Sequence, residues 1–293
     1  MSTPCINRRA AAAALAITAG LPIAPARAAG PRTLRCYPTG PIYSYRWDAL
    51  RLALSHSGAD WRGVRIEPTK GEALTQPRAE RLVQAGELDV VCFGVNAARM
   101  KSLRPIRFDV MKGMVGLRYM LVRRGDQQRL ARLTDKEYLR TVRFGLQEQW
   151  ADVVIMQANG LQLELASRAE RLVEMLSAGR CDALPRGANE VLLELQAHRN
   201  NKPPLAVESS RVFYFPFPIY FWVRDGNEAL AQAIESGLRH IDQSGELQQL
   251  FMRTHRRELE FVRNSKQRVI QLATAALPQP LEKPDTSWWW PFA

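Results

Sequence analysis

A chain of 293 residues that is 46% apolar and 24% charged carries enough hydrophobic surface for one large or two medium globular domains. Its four cysteines are too few and too scattered for a disulfide framework, and beyond the N-terminal segment no run of about eighteen uninterrupted apolar residues is present to cross a bilayer. The formal charge of +12 points towards acidic small solutes or a membrane surface.

Arg8 and Arg9, the apolar stretch from Ala10 to Leu21 and the small-x-small site Ala26-Arg27-Ala28 predict a signal peptide over residues 1–28. The arginine pair and alanine-rich core fit the twin-arginine and the general secretory routes alike. Removing Arg8, Arg9 and Arg27 lowers the charge from +12 to +9. Outside the cytoplasm nucleic acid is not an expected partner, and a soluble product is expected.

From Thr33 short strands alternate with amphipathic helices. "TLRCY" reads as a strand, and "RWDALRLALSHSG" as a helix with Trp47, Leu50 and Leu54 on one face and Gly58 as its stop. A second helix begins near Pro77 and ends before Gly86, and "DVVCFGV" follows as a strand. The pattern then repeats: strand "TVRFGL", helix "QWADVVIMQANG" closed by Asn159-Gly160, strand "LQLEL", a capping box from Ser167 and Glu170, a helix, and the strand "CDAL" ending before Pro185. "VFYFPFPIYFWVRDG" reads as an extended crossover. One helix starts at Asn227 with Leu230, Ile234, Leu238 and Ile241 inward, another near Gly245, and the tail "LPQPLEKPDTSWWWPFA" is expected to strap onto the body through Trp288 to Trp290. Alternation on this scale predicts an α/β protein with parallel sheets and right-handed crossovers.

An internal echo, "ERLVQAGELDVV" at 80–91 and "ERLVEMLSAGRCDAL" at 170–184, favours two similar lobes. Ligands of open parallel sheets bind beyond the carboxyl ends of the strands. The loops there carry Asn96 and Arg99 in the first lobe and Arg186 and Asn189 in the second. Two arginine forks at one cleft suit a carboxylate, although each is also readable as an ordinary surface arginine. Tyr43 and Tyr45 in a Gly-Pro loop and Trp150 at a helix start are candidate apolar walls, with Trp150 equally suited to the core.

Other chemistries lack their signatures. There is no glycine-rich phosphate loop, G-x-S-x-G elbow or H-E-x-x-H, and His56, His198, His240 and His255 lie far apart in sequence, so no cofactor or metal site is expected. Cys36, Cys92 and Cys181 read as buried free thiols, with a Cys36 to Cys92 bridge as the alternative. The basic run "MRTHRRELEFVRNSKQR" fits a solvated helix face.

The order and spacing of "LVQAGELDVVCFGVNAAR", "LSAGRCDA" and "YFWVRDGNEALAQAIESGLRHIDQSGELQQLF" resemble the periplasmic solute-binding proteins of family three, over essentially the whole chain after the signal. The resemblance implies a two-lobe type II periplasmic-binding fold, each lobe a mainly parallel sheet flanked by helices. Lobe one would comprise residues 29–115 and 219–293 and lobe two residues 116–218, with "MVGLRYMLVRRGD" and "PIYFWVRDG" as hinge strands that close around a ligand. It implies a monomeric periplasmic receptor that passes a small solute to an ABC-type importer or a sensor partner.

In that family Arg99 would match the arginine that clamps a ligand carboxylate, and Tyr43 or a neighbour the aromatic that covers its side chain. The chain departs from the pattern where amino-acid receptors carry an acidic residue for the ammonium group, since here the loop reads Pro185-Arg186-Gly187-Ala188-Asn189. The expected ligand is thus a carboxylate-bearing, amino-acid-like solute. Two other readings stay open: an enzyme on the same fold, dehydratase-like or cell-wall-associated, with Glu148, Asp152 or Glu190 as its carboxylate, and a partner-binding protein with a degenerate cleft.

Overall fold

The computed structural model describes Met1 and residues 32–38, 40–69, 74–281 and 283–290. The signal peptide expected over 1–28 lies outside those residues, apart from Met1. Among the described residues no helix is long and apolar enough to cross a membrane.

Strand β1 (Thr33–Tyr37) leads to a 3-10 turn at Pro41–Tyr43 and helix α1 (Ser44–Ser55), which buries Trp47, Leu50 and Leu54 as their spacing requires. Strand β2 (Arg65–Pro68), helix α2 (Gln76–Gln84), β3 (Val90–Gly94), α3 (Ala97–Ser102) and β4 (Arg104–Ile106) complete the first series. The second holds β5 (Leu117–Arg123), α4 (Gln127–Arg132), α5 (Asp135–Thr141), β6 (Arg143–Gln147), α6 (Asp152–Ala158), β7 (Gln162–Ala166), α7 (Leu172–Ser177), β8 (Ala183–Gly187), α8 (Val191–Ala197), β9 (Leu205–Val207) and β10 (Arg211–Tyr214). The chain continues through β11 (Ile219–Val223), α9 (Glu228–Gln243), α10 (Glu246–Thr254), α11 (Arg256–Arg263) and β12 (Arg268–Gln271).

Two sheets result, and they define a two-lobe α/β fold. The first has the order β2-β1-β3-β11-β4, the second β12-β10-β5-β8-β6-β7 with β9 also on β5. The strand-helix units supply the parallel pairs, β1 with β2 and β3, and β6 with β7 and β8. The strands next to the crossovers run antiparallel to them: β11 beside β3 and β4, and β5 beside β8, β9 and β10.

The chain passes between the sheets at 107–116 and 215–218, and the two crossovers are stitched together. Asp109 accepts backbone N–H bonds from Met111, Gly113 and, across to the other strand, Ile219, at 3.1, 2.6 and 3.0 Å. Burial pushes its carboxyl up to about 6 against those three donors. Gly116 is needed because a Cβ there would sit 2.1 Å from the Phe215 carbonyl oxygen.

Three expectations need correction. The strand "CDAL" does not stop at Pro185: β8 runs through Pro185 and Arg186 to Gly187, paired with β5, because β6 leaves β8 at Ala183 and a missing N–H interrupts no second ladder. Ser167 and Glu170 form no capping box, since the turn at Ala169–Arg171 follows Arg168 with no side-chain cap; the box is instead Thr134 with Glu137. Residues 219–293 do not all return to the first lobe, because β12 adds to the second sheet beside β10. The thiols of Cys36, Cys92 and Cys181 are free and buried, and burial pushes the first two up to about 12.

The C-terminal tail spans the junction. Trp288 packs edge-on against Phe251 of α10, Trp289 donates its indole N–H to the Lys112 carbonyl at 2.7 Å, and Trp290 meets Tyr214 of β10 with ring centroids 4.4 Å apart. Lys112 itself bonds Asp242 of α9 at 2.6 Å. Trp289 is 3% exposed, so Trp289→Ala should cost about 3 kcal/mol of stability, read by urea denaturation monitored in the far ultraviolet.

Candidate functional site

Between the lobes lies a small inner cavity of about 90 Å³. The first lobe contributes Tyr43, Arg46, Gln76, Phe93, Gly94 and, at the start of β11, Ile219, the second Arg118, Trp150, Asp152 and Glu190, and the crossovers Val115 and Phe217. Gly94 is open to Phe217, whose ring lies 2.2 Å from where a Cβ would stand. An outer cavity of about 420 Å³ shares Tyr43, Gln76, Phe93 and Trp150 with the inner one and adds Gln147, Ser167, Arg168 and Glu170. A third, of about 540 Å³, opens on the far side of Tyr43 and Trp150, where Ile42, Val173, Leu193 and Ala197 make it apolar.

The charges divide unequally across the inner cavity. Arg46 lies on α1 at the spacing of Leu50 and Leu54, so the buried face of the helix carries it inward, where it is 4% exposed. Its Nη1 donates to the Cys92 carbonyl at 2.9 Å, its guanidinium rests 4.8 Å from the Tyr43 ring centre, and its Nε has no partner. No carboxylate of the described residues pairs with it.

Opposite stands one cation with two anions. Arg118, at the start of β5, donates from Nη2 to Asp152 Oδ1 at 2.9 Å, and its Nη1 is 3.8 Å from Glu190 Oε2. Glu190 is held by the Gly187 N–H at 3.0 Å. Burial raises the Asp152 carboxyl above its ordinary range, with Arg118 opposing. Arg118 Nε is also without a partner. The first-lobe wall therefore carries a net positive charge and the second-lobe wall a net negative one.

The residues singled out from sequence fall into different places. Tyr43 and Trp150 line all three cavities. Tyr45 belongs to the core, 1% exposed, with its hydroxyl on the Val110 carbonyl and its ring against Phe251 and His255. Asn96 caps α3 by accepting the Arg99 N–H at 2.7 Å. Arg99 is fully buried and not among the residues lining these cavities; it bonds Glu80 at 2.7 Å, Gln76 at 2.8 Å and the Gly94 carbonyl. It thus braces the cavity wall from behind.

Arg186 lines only the third cavity, where Glu194 takes its guanidinium in a two-pronged ion pair and Trp150 lies 5.3 Å beneath it. Asn189 is 2% exposed, with neither amide atom bonded. The two arginines read as a carboxylate clamp are both neutralised within the chain. Arg46 and Arg118 are the cations the inner cavity contains. The first had a visible signal, a charge within the apolar stripe of an amphipathic helix.

No protein-family model matches the chain, and no curated protein does. Solved structures share its fold. An ancestral arginine-binding protein bound to arginine superposes with a TM-score of 0.55 at 16% identity, over 75% of this chain and 97% of that one. An amino acid ABC transporter substrate-binding protein from Streptococcus pneumoniae bound to L-arginine gives 0.54 at 14%, over 77% and 93%. A histidine kinase sensor domain with similarity to periplasmic binding proteins gives 0.53 at 15%, over 76% and 95%. The chain has the two-lobe fold of solute-binding proteins and Venus flytrap sensor domains.

Because Arg118 is the cation that Asp152 and Glu190 share, Arg118→Leu leaves both carboxylates without an ion-pair partner. The variant should lose about 3 kcal/mol at pH 7. Asp152 already has a raised folded pKa, so its ionisation opposes folding as pH rises through that value, and the loss should shrink as pH is lowered towards 4. Denaturation midpoints of both proteins across pH 4–8 measure this.

Proposed function

We propose that the chain is a periplasmic receptor that captures a small, carboxylate-bearing, amino-acid-like solute in the cleft between its lobes. The observation that carries the reading is Arg46, a buried guanidinium that lines the inner cavity without a carboxylate partner. A ligand carboxylate supplies the missing anion and takes charge-assisted hydrogen bonds from it. Across the cavity Asp152 and Glu190 share the single cation Arg118, which leaves negative charge for a ligand ammonium group. A zwitterion satisfies both walls; a simple dianion satisfies one and is repelled by the other.

The inner cavity is sized for a charged head group, and the outer one, walled by Tyr43, Phe93 and Trp150, offers room for a side chain. Proteins of this fold that bind arginine, and a sensor domain of the same fold, support solute capture as the role. They also fit delivery either to an ABC-type importer or to a signalling partner. On this reading the chain acts as a monomer and catalyses no reaction.

The test is a thermal-shift screen of the purified protein against amino acids and related small acids, followed by calorimetry on any ligand found. Arg46→Met should weaken binding by about 3 kcal/mol, more than a hundredfold in Kd. The same change should leave the ligand-free melting temperature unchanged or raised, because it removes a buried cation that lacks an ion-pair partner. Arg99→Met, which strands Glu80, should lower that temperature instead. A wild-type protein silent to the whole panel, or an Arg46→Met variant that binds as well as wild type, sinks the reading.

A further inference from the structure

Three helices of the first lobe bring together side chains that lie far apart in the chain. His56 follows the end of α1, His240 sits in the last turn of α9, and Glu246 opens α10. Each offers one ligand atom, and the three atoms lie within 4.8 Å of one another. The two imidazoles stack with centroids 4.6 Å apart, and His56 Nε2 is 3.2 Å from Glu246 Oε2. Ser244 Oγ donates to the other carboxylate oxygen at 2.8 Å, which turns Oε2 towards the histidines. The helices beneath are firmly joined: Ser57 Oγ donates to the Ala233 carbonyl of α9 at 2.6 Å.

We propose that His56, His240 and Glu246 form a surface site for a borderline divalent transition-metal ion such as zinc, nickel or copper(II). Two imidazole nitrogens and one carboxylate oxygen are the donor set such ions take, whereas calcium and magnesium require oxygen alone. A tetrahedral ion with arms of about 2.1 Å needs its donors about 3.4 Å apart, so with all three within 4.8 Å of one another the widest gap must close by at most about 1.4 Å. Small side-chain rotations on the surface achieve that, since the side chains of His56 and Glu246 keep 33% and 36% of their exposure. The fourth position stays open to water. Ser244 acts as the outer partner that fixes the carboxylate. The bound ion ties α1, α9 and α10 together and lies outside the cleft cavities, so the site is independent of solute capture.

Zinc titrated calorimetrically into the purified chain tests the proposal. Wild type should take up one ion per chain, with affinity lowered at least about tenfold in His56→Ala and in His240→Ala, and by about tenfold in Ser244→Ala. Zinc should also raise the melting temperature of wild type and not that of the double histidine variant. All these positions are on the surface, and metal-free melting curves that match wild type establish that the variants fold. Absence of a saturable site up to about 1 mM zinc overturns the proposal. So does a double variant that binds zinc as wild type does, which would assign the ion to His198 or another group.

Discussion

The cleft depends on how closely its two crossovers run. At Gly116 the first passes so near the Phe215 carbonyl that no side chain fits, and Asp109 reaches over to hold the Ile219 N–H where the second enters β11. Val115, Phe217 and Ile219 are thereby fixed as the cavity floor, and Arg118 enters from the first residues of β5 with its guanidinium near the Phe215 and Phe217 rings. Gly94, at the end of β3, completes the contact by lying under the Phe217 ring. Shifting such a floor would break the hydrogen bonds that Asp109 makes to both crossing segments.

The same region explains the C-terminal segment. After α10 the chain does not remain with the first sheet. Phe261 of α11 packs on Tyr119 of β5, and β12 then extends the second sheet. The tail finally returns to lay Trp288 on an element of the first lobe, Trp289 on the first crossover and Trp290 on β10. Residues that composition marks as adhesive are thus used to cover the outer face of the junction. Lys112 is the anchor, since its carbonyl receives Trp289 while its ammonium lies 4.5 Å from the Trp288 ring centre and bonds Asp242.

Most of the architecture was legible because it rests on local rules. Alternation, helix periodicity and glycine stops located β1, β3, β6, β7 and β8 with α1, α2, α6 and α7, while the short β2 and β4 and the helices α3 to α5 were not read; the echo at 80–91 and 170–184 pointed to two lobes. What escaped depends on distant partners. β12 is a short, partly exposed strand that pairs with β10, more than fifty residues away, so its sequence carries no strong signal of its own. Arg99, in α3 just after β3, and Arg186, near the end of β8, sit at the strand ends that topology favours, yet Glu80 and Glu194 claim them, and nothing local says that a carboxylate on α2 or α8 will arrive there. Similarly, His56 and His240 become neighbours only through the packing of α1 on α9.

The arginines show why pairing rather than location separates structural from functional charge. In a chain with 41 lysines and arginines against 29 acids, carboxylates are the scarce partner. Those available near the cleft go to positions where burial would otherwise be costly: Glu80 to Arg99, Glu194 to Arg186, and Asp152 with Glu190 to Arg118. Arg46 is as deeply buried as Arg186, but it has one carbonyl and one aromatic face in place of an anion. A buried guanidinium so poorly compensated destabilises the ligand-free protein relative to an apolar residue of the same length. Its retention at the cavity wall is intelligible when the missing anion arrives with the ligand, because the desolvation already incurred in folding then makes each new hydrogen bond to that anion stronger than it would be in water.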